Sequence, residues 1–591
     1  MCGIVGYIGR RQAQPILLNS LAKLEYRGYD SCGIALASSC IAVYKDAVRV
    51  AELAKALPKL QGTIGIGHTR WATHGAPCQM NAHPHSDCTG KIVVVHNGVI
   101  TNYQQLTHQL TQEGHKFSSE TDTEVIAHLV EKYYRGNLEE AVETALHDIE
   151  GSYAIIVLGE DKPELVVARK DSPLIMGIGD RENFIASDVP AVLDYTNRVI
   201  YLEDGDIGVV TSDSVRIKRE GKNIIREAHK ILWSAEEAKK GGYEHFILKE
   251  IHEQPKVIRD TIGEYLLATE PVLTMPNGQL DSLLLLACGT SYHAALVGKY
   301  VFEDLLRIPV RVELASEFNY FRSCLAPTLA IAITQSGETA DTLKAMKRLK
   351  ETGCRVVAIT NVVGSTASRI AHQTIYTRAG PEISVAATKS FIAQLIALYW
   401  IALSYSRLDT RTAEDLRMKL RQLPEQVQQV LDEEDLIAGY AEYLAKYEDD
   451  FYIGRGINYA IAMEGSLKLK EIAYIHSEAY AAGELKHGPF ALLCKDTPVI
   501  AIVARDNTYE AVLTNIKEIK ARGSPVLAIA EEDDEAIKEL ADFIVSVPHT
   551  DPILTPIVNT VVVQLLAYYA ARARKCPIDF PRNLAKSVTV E

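Results

Sequence analysis

Cys2, directly behind the initiator methionine in MCGIVGYIG, is the residue of this chain best placed for nucleophilic attack. If Met1 is removed, Cys2 carries a thiol and a free α-amine on one carbon. The thiolate is the attacking form, and its ordinary pKa is about 8.5. An α-amine titrates near about 7.7–8 and can act as base beside its own nucleophile. The bland alternative is a structural cysteine opening a core strand, since Ile4, Val5, Tyr7 and Ile8 are apolar. Three polar clusters complement a nucleophile. HTRWATHG puts Arg70, Thr73 and His74 on a loop after an apolar strand, where a guanidinium can hold a carboxylate bidentately. HNGVI, after KIVVV, puts the Asn97 amide and the Gly98 N–H where an oxyanion could meet them. SSETDTEV offers Asp122 to an ammonium, although Thr121 and Glu124 also read as a capping box for the next helix.

The second half offers a different chemistry. Gly289, Thr290 and Ser291 in CGTSY, and Thr334, Gln335, Ser336 and Thr339 in TQSGET, put hydroxyls and backbone N–H groups at helix N-termini. That arrangement cradles a phosphate, or the hydroxyls are simply caps. No G-K-[ST] follows, which excludes a nucleotide P-loop. Lys468 and Glu471 lie three apart on a predicted helix and share a face. They are either a surface ion pair or a positioned base that moves a proton between carbons. His487 sits in the loop GELKHGP, and Lys586 in the terminal NLAKSVTVE. CQMNAHPHSDC supplies Cys78, His83, His85 and Cys88 as a conceivable zinc quartet. Its spacing fits no common zinc module, so no metal and no cofactor is expected.

These residues need a scaffold of several domains. The chain has 591 residues, 47% of them apolar, and a net charge of −14, which argues against nucleic acid or an anionic membrane as partner. Its ten cysteines form no C-x-x-C, as expected of a cytoplasmic protein. No secretory signal is recognisable, and the longest apolar run, Phe391 to Leu403, is too short to span a bilayer and reads as a buried helix. Up to about residue 220, short β-type runs alternate with helical patterns at 14–24, 102–112, 123–134 and 138–146, giving an α+β domain with two packed sheets. Residues 221–250 are charged and read as a linker. Beyond it the chain repeats: Gly289 aligns with Gly456, Thr334 with Val503, Thr360 with Ala530, and Pro381, read as opening a helix, with Pro552. A duplicated α/β unit with a parallel sheet follows. The second copy has GIN and VARDNT where the first has GTS and TQSGET, so only the first is expected to hold phosphate. The boundaries are then 2–220, linker 221–250, 251–415, 416–575 and a tail 576–591.

MCGIVGYIG, LEYRGYDSCGIA, HTRWATHG, NAHPH, VVHNGVI and SETDTEV together closely resemble the class II glutamine amidotransferases, Ntn hydrolases with an N-terminal cysteine and an αββα sandwich. The resemblance implies that Cys2 attacks the glutamine amide, with Asn97 and Gly98 as oxyanion hole. It implies that Arg70, Thr73, His74, His83 and Asp122 bind glutamine and that Trp71 gates an ammonia channel. The repeats resemble the sugar isomerase (SIS) fold, with flavodoxin-like parallel sheets. CGTSY, QSGETADT, GPEISVAATK, KLKEIAYIHSEAYAAGELKHGP and PRNLAKSVTVE extend the resemblance to enzymes that aminate and isomerise a sugar phosphate. This implies glutamine and fructose 6-phosphate as substrates, and phosphate held by Gly289, Thr290, Ser291, Thr334, Gln335, Ser336 and Thr339, with Val385 in the sugar pocket. It further implies Glu471 and Lys468 in proton transfer, Lys586 as the Schiff-base amine, and a homodimer in which His487 crosses to the neighbouring subunit to open the sugar ring. Thr334 and Ala387 replace serines usual in the family. A phosphoribosyl-transferring amidotransferase would need DD-x-x-x-x-GT and an asparagine synthetase SGGLDS; both motifs are absent. A sugar-phosphate sensor would have no use for Cys2 or Lys586, whereas an enzyme aminating or deglycating another sugar phosphate stays open.

Overall fold

The computed structural model describes residues 2–71, 74–231, 240–267, 273, 280–320 and 329–589. They fall into two compact units, Met1–Ala238 with Ala585–Glu591, and Lys239–Leu584.

The first unit is built on two antiparallel sheets. The eight-stranded one has Gly3–Ile8 near its middle, between Asn183–Ala186 and Ile64–Arg70. In the seven-stranded one Ile92–Ile100 pairs with Gly151–Gly159 along its whole length. The two-residue period of a strand separates the cores. Val93, Val95, Ala154, Ile156 and Leu158 meet Ile4, Ile8 and Ile66 of the other sheet. Their neighbours Ile92, Val94, Ile155 and Val157 face Leu106, Leu110, Ile126 and Val130 on the covering helices. Leu17 and Leu21 of helix Ala13–Ala22 cover the far side of the first sheet, over Gly65 and Gly67. The expected helices appear at Ala13–Ala22, Tyr103–Gln112, Glu124–Tyr133 and Leu138–His147. The sheets also claim residues read as linker: Lys222–Ile224 and His229–Lys230 are strands of the two sheets. They are short edge strands of mostly exposed polar residues, which leave no hydrophobicity pattern.

The second unit contains the repeat. One sheet runs Val310–Leu314, Leu283–Ala287, Leu329–Thr334, Arg355–Thr360, Gln373–Tyr376; the other runs His476–Ala481, Asp449–Gly454, Val499–Ile502, Val526–Glu531, Phe543–Val547. All pairings are parallel and the order is 2-1-3-4-5 in both, the flavodoxin-like arrangement. One core runs through both copies, joining Leu285 and Ile331 of the first sheet to Tyr452 and Ile500 of the second. Lys389–Ser404 and Thr555–Ala573, apolar all round, are its buried helices. The helix Thr410–Asp432 runs unbroken through the expected boundary at 415/416. Pro381 opens no helix: its copy's helix begins at Lys389. The intervening loop is held by carboxylates, with Glu250 accepting from the Ile383 and Ser384 N–H groups and Glu382 capping the helix at Thr388 and Ser390.

The aligned glycines prove the duplication locally. Gly289 precedes helix Thr290–Leu306 at φ 56°, ψ −134°, and Gly456 precedes Ile457–Lys468 at φ 53°, ψ −132°. An L-residue is strained there, although at Gly289 nothing lies within 4 Å of an added Cβ. Gly289→Ala and Gly456→Ala should therefore each cost about 1–3 kcal/mol, from backbone alone, seen as a lowered thermal unfolding midpoint. An unchanged midpoint in either would contradict the strained turn.

Candidate active site

Cys2 stands at the entrance to the central strand of the first unit. Its Sγ lies 3.3 Å from the Trp71 N–H, which donates to it. The Cys2 carbonyl accepts from Asn97 Nδ2 at 2.9 Å and Arg27 Nε at 3.3 Å. Burial pushes the thiol above its ordinary value, while the Trp71 N–H and the Arg70 charge pull it down. These opposing influences leave a nucleophile that is ionised most readily when something positive or protic stands beside it.

Asn97 and Gly98 sit within strand Ile92–Ile100. Gly98 has φ 137°, and a Cβ there would fall 2.0 Å from the Ser152 carbonyl oxygen, so only glycine keeps this backbone against its neighbour. Asn97 Oδ1 is buried and unbonded among the described residues.

Arg70 ends strand Ile64–Arg70 and is 3% exposed. Its Nη2 donates to the carbonyls of His74 and Gly75, and its Nη1 has no hydrogen-bond partner among the described residues. A buried guanidinium with a free N–H is a ready receptor for a carboxylate. Asp122 accepts from the Ile100 N–H at 2.8 Å. Trp71 is half-buried beside the sulfur, and the His74 ring meets the Tyr103 edge at 5.4 Å. Thr73 lies outside the described residues. His83 is stacked on His68 at 3.9 Å and 4% exposed; burial holds both imidazoles well below their ordinary pKa and neutral, His68 at about 3.

One local reading needs correction, and the conceivable zinc quartet does not form. Thr121 and Glu124 form no capping box: Glu124 accepts instead from the N–H and hydroxyl groups of Ser118 and Ser119 at 2.7–2.8 Å, and the cap position is Thr123. The chain before the helix turns back onto its first carboxylate, which a spacing rule does not foresee. Nor do Cys78, His83, His85 and Cys88 gather. His83 and His85 pack on each other at 4.7 Å, while Cys88 turns to His115 and His128.

In the second unit, Lys468 is 1% exposed. It is the last residue of helix Ile457–Lys468, and a π-helical turn, Leu469–Ala473, carries Glu471. Such turns collect at functional sites. The Lys468 ammonium donates to Glu471, lies 3.4 Å from Glu464 and donates to Thr290 Oγ1 at 3.0 Å. This is a buried network rather than the surface pair. Burial pulls the Lys468 pKa down, but the two carboxylates outweigh it and hold it above the ordinary lysine value. Glu464, fully buried, also accepts from Thr290 Oγ1 at 3.1 Å and meets His293 Nδ1 at 2.7 Å. Sequence reasoning missed Glu464 and His293, though Glu464 lies four residues before Lys468, one helical turn away. A cavity of about 330 Å³ opens beside Glu471, bordered by Lys470, Tyr474 and Arg582–Leu584.

The first copy's hydroxyl loop closes on itself. Thr334 Oγ1 accepts from the Gly337 N–H at 3.2 Å and lies 3.3 Å from Thr339 Oγ1; Ser336 Oγ accepts from the Glu338 N–H. Gln335, Ser336 and Thr339 are partly exposed. Ser291 Oγ accepts from Gln394, and the Val385 N–H is committed to the Asp579 carbonyl. In the second copy the same loop carries Asp506, which binds the Thr508 N–H and hydroxyl, and Arg505, paired with Glu531 and Asp533. A carboxylate in that place repels an anion. His487 is exposed in the turn Ala482–His487, and Lys586, half-buried, belongs with the first unit.

Residues 68–194 match the glutamine amidotransferase domain family, and residues 279–404 and 443–574 the SIS domain family. The protein is thus a glutamine amidotransferase joined to two SIS domains. Covering the whole of both chains, it is 51% identical to the glutamine–fructose-6-phosphate aminotransferase (isomerising) of Caldanaerobacter subterraneus subsp. tengcongensis and 50% identical to that of Pyrococcus horikoshii. The solved C-terminal domain of glucosamine-fructose-6-phosphate aminotransferase from Francisella tularensis, 35% identical, superposes with a TM-score of 0.54 over 58% of this chain and all of that one. The chain belongs to the glutamine–fructose-6-phosphate aminotransferase (isomerising) family.

The buried network carries its own test. Glu464 is held below the ordinary glutamate value of 4.5, since Lys468 and His293 outweigh its desolvation. A lowered carboxylate pKa stabilises the fold fully above that ordinary value and less as pH falls through the folded one. Glu464→Gln should lose about 3–5 kcal/mol near neutrality, the cost of leaving a buried charge short of a partner. The gap to wild type should narrow below pH 4.5 in denaturant titrations. A gap independent of pH would refute the pairing.

Proposed function

We infer that the protein transfers the amide nitrogen of glutamine to fructose 6-phosphate and isomerises the product to glucosamine 6-phosphate, releasing glutamate. What carries this reading is end-to-end identity of about half to relatives of that name. The residues support it independently, a thiol among N–H donors in one unit and a buried Lys–Glu network beside hydroxyl loops in the other.

Cys2 Sγ attacks the glutamine amide carbon, and the oxyanion is met by the Gly98 N–H and by Asn97 Nδ2, which must leave the Cys2 carbonyl to reach it. Each such donor is worth about 10²–10³ in rate. Arg70 Nη1 takes the substrate carboxylate and Asp122 its ammonium, with Trp71, Thr73 and His74 closing over them. His83 supports the wall from behind. Water then releases glutamate from the thioester, and the ammonia is channelled to the sugar.

Thr290, Ser291, Thr334, Gln335, Ser336 and Thr339 take the phosphate, with Gly289 letting the backbone approach it and Val385 lining the pocket. His487, from a second copy in a homodimer, opens the ring. The Lys586 amine condenses with the ketose carbonyl to a Schiff base, expelling water; ammonia adds at C2 and displaces the lysine amine, leaving the sugar imine, and Glu471 then moves a proton from C1 to C2 while Lys468 fixes its carboxylate. The reaction is cytoplasmic.

Two experiments test this. Cys2→Ala should abolish glutamine-dependent formation of glucosamine 6-phosphate yet keep synthesis at high ammonium, measured by product analysis; residual glutamine hydrolysis would remove Cys2 from its role. Borohydride added with fructose 6-phosphate should trap an adduct on the peptide holding Lys586. Lys586→Arg has no neutral amine to offer and should lose sugar conversion while still hydrolysing glutamine. A Lys586→Arg protein making product at the wild-type rate would end the Schiff-base assignment.

A further inference from the structure

Cys88, His115, His128 and Glu131 take no part in the chemistry above, yet they form the one group of potential metal ligands found among the described residues, with ligand atoms all within 4.8 Å of one another. They come from three places in the first unit. Cys88 follows the strand His85–Ser86, His115 follows helix Tyr103–Gln112, and His128 and Glu131 lie three apart on helix Glu124–Tyr133.

Three of the four distances are close to those of ligands around a common centre, and the fourth, between His115 and Glu131, is shorter. Cys88 Sγ lies 3.7 Å from His115 Nδ1 and 3.5 Å from His128 Nδ1. Glu131 Oε2 lies 2.9 Å from His115 Nδ1 and 3.3 Å from His128 Nδ1. Zinc bonds of about 2.3 Å to sulfur and about 2.0 Å to nitrogen or oxygen, set tetrahedrally, put S and N about 3.5 Å apart and N and O about 3.3 Å apart. Protons serve this geometry poorly. Each Nδ1 carries at most one, yet each faces both the sulfur and the carboxylate oxygen. A cation at the centre satisfies all four contacts.

The surroundings fit as well. His128 is 1% exposed, and its Nε2 has no hydrogen bond, lying 3.6 Å from Glu124. With Nδ1 on a metal, that nitrogen carries its proton toward the carboxylate, the carboxylate–histidine relay common behind zinc ligands. The Lys116 N–H donates to Cys88 Sγ at 3.4 Å and the Cys88 N–H to Glu131 Oε2 at 3.2 Å. Cys88 itself is exposed, which leaves a way in.

We propose that Cys88, His115, His128 and Glu131 bind one zinc ion in a closed tetrahedral site. Sulfur with imidazole and a single carboxylate selects zinc over magnesium or calcium. The Cys88 thiol gives its proton to solvent on binding and coordinates as thiolate. The ion ties three segments together, and through His128 and Glu124 it fixes the Ser118–Ser119 turn just before Asp122.

The test uses the full-length, tag-free protein. Elemental analysis should find close to one zinc per chain. Cobalt added after chelation should give tetrahedral visible bands and a thiolate-to-cobalt band in the near ultraviolet, and zinc should restore a melting temperature lowered by the chelator. Cys88→Ser should abolish the charge-transfer band, and His115→Gln, at a half-buried position, should weaken cobalt binding at least tenfold. Cys2→Ala and Cys78→Ser should keep both metal and band. A chain without zinc that gives no cobalt band overturns the proposal, as does a band that survives Cys88→Ser or disappears with Cys2→Ala.

Discussion

A charge withdrawn from water must be neutralised where it lies, and in the second unit that requirement falls on Lys468. Its ammonium is almost wholly buried between Glu464 and Glu471. Removing either carboxylate would leave a buried charge short of a partner, so the positions of both are dictated. The network also crosses the internal repeat. Lys468 and Glu464 belong to the second copy, but both bond Thr290, the first residue of the first copy's leading helix, and Glu464 meets His293 one turn on. The first residue of that helix is thus anchored by the two residues that, with Glu471, make up the buried network. The two copies share one set of charges.

This coupling explains how two similar halves make one site. The backbone is repeated down to the pair of strained glycines at 289 and 456. The loops are not: where Thr334, Ser336 and Thr339 offer hydroxyls, the second copy offers Asp506 already satisfied by Thr508. What the second copy supplies instead is Glu464, Lys468 and the π-turn that aims Glu471. Duplication gave the frame, and the copies differ in a few polar side chains: hydroxyls just after the strand Leu329–Thr334 in the first, and Glu464, Lys468 and Glu471 along and beyond the helix Ile457–Lys468 in the second.

Much of this was legible from residue order, for identifiable reasons. Alternating apolar runs exposed both sheets of the first unit, because burial on two faces leaves a strong mark. The repeat was visible because Gly turns followed by helix starts are local. Glu464 escaped notice because a glutamate within an apolar helix looks like any other until a lysine and a histidine are folded against it. The capping box was misread because Glu124 has the right spacing for it, yet satisfies Ser118 and Ser119 upstream. Pro381 misled for a related reason: a proline suits a helix start, but here Glu250 and Glu382 hold an extended loop ahead of Lys389. Cys88 drew attention through its neighbours in sequence, when its partners in space lie far along the chain.

Two positions within the motifs that carry the resemblance, Thr334 and Ala387, can now be weighed against each other. Thr334 ends a buried strand, is 3% exposed, and its hydroxyl does the work a serine would do, accepting from the Gly337 N–H. The added methyl is buried with the rest of the side chain, and a β-branched residue suits the end of a strand. It stiffens the hydroxyl loop that follows without removing a contact. Ala387 is different. It is only partly buried, in the loop that Glu250 and Glu382 brace on either side. Those braces act on the N–H groups and hydroxyls of other residues, so alanine at 387 leaves the loop's shape intact and simply offers no hydroxyl. A change that preserves shape while removing a hydrogen bond acts on which sugar is held rather than on whether the loop forms. Any difference in sugar preference between this protein and its relatives should therefore trace to position 387 before 334.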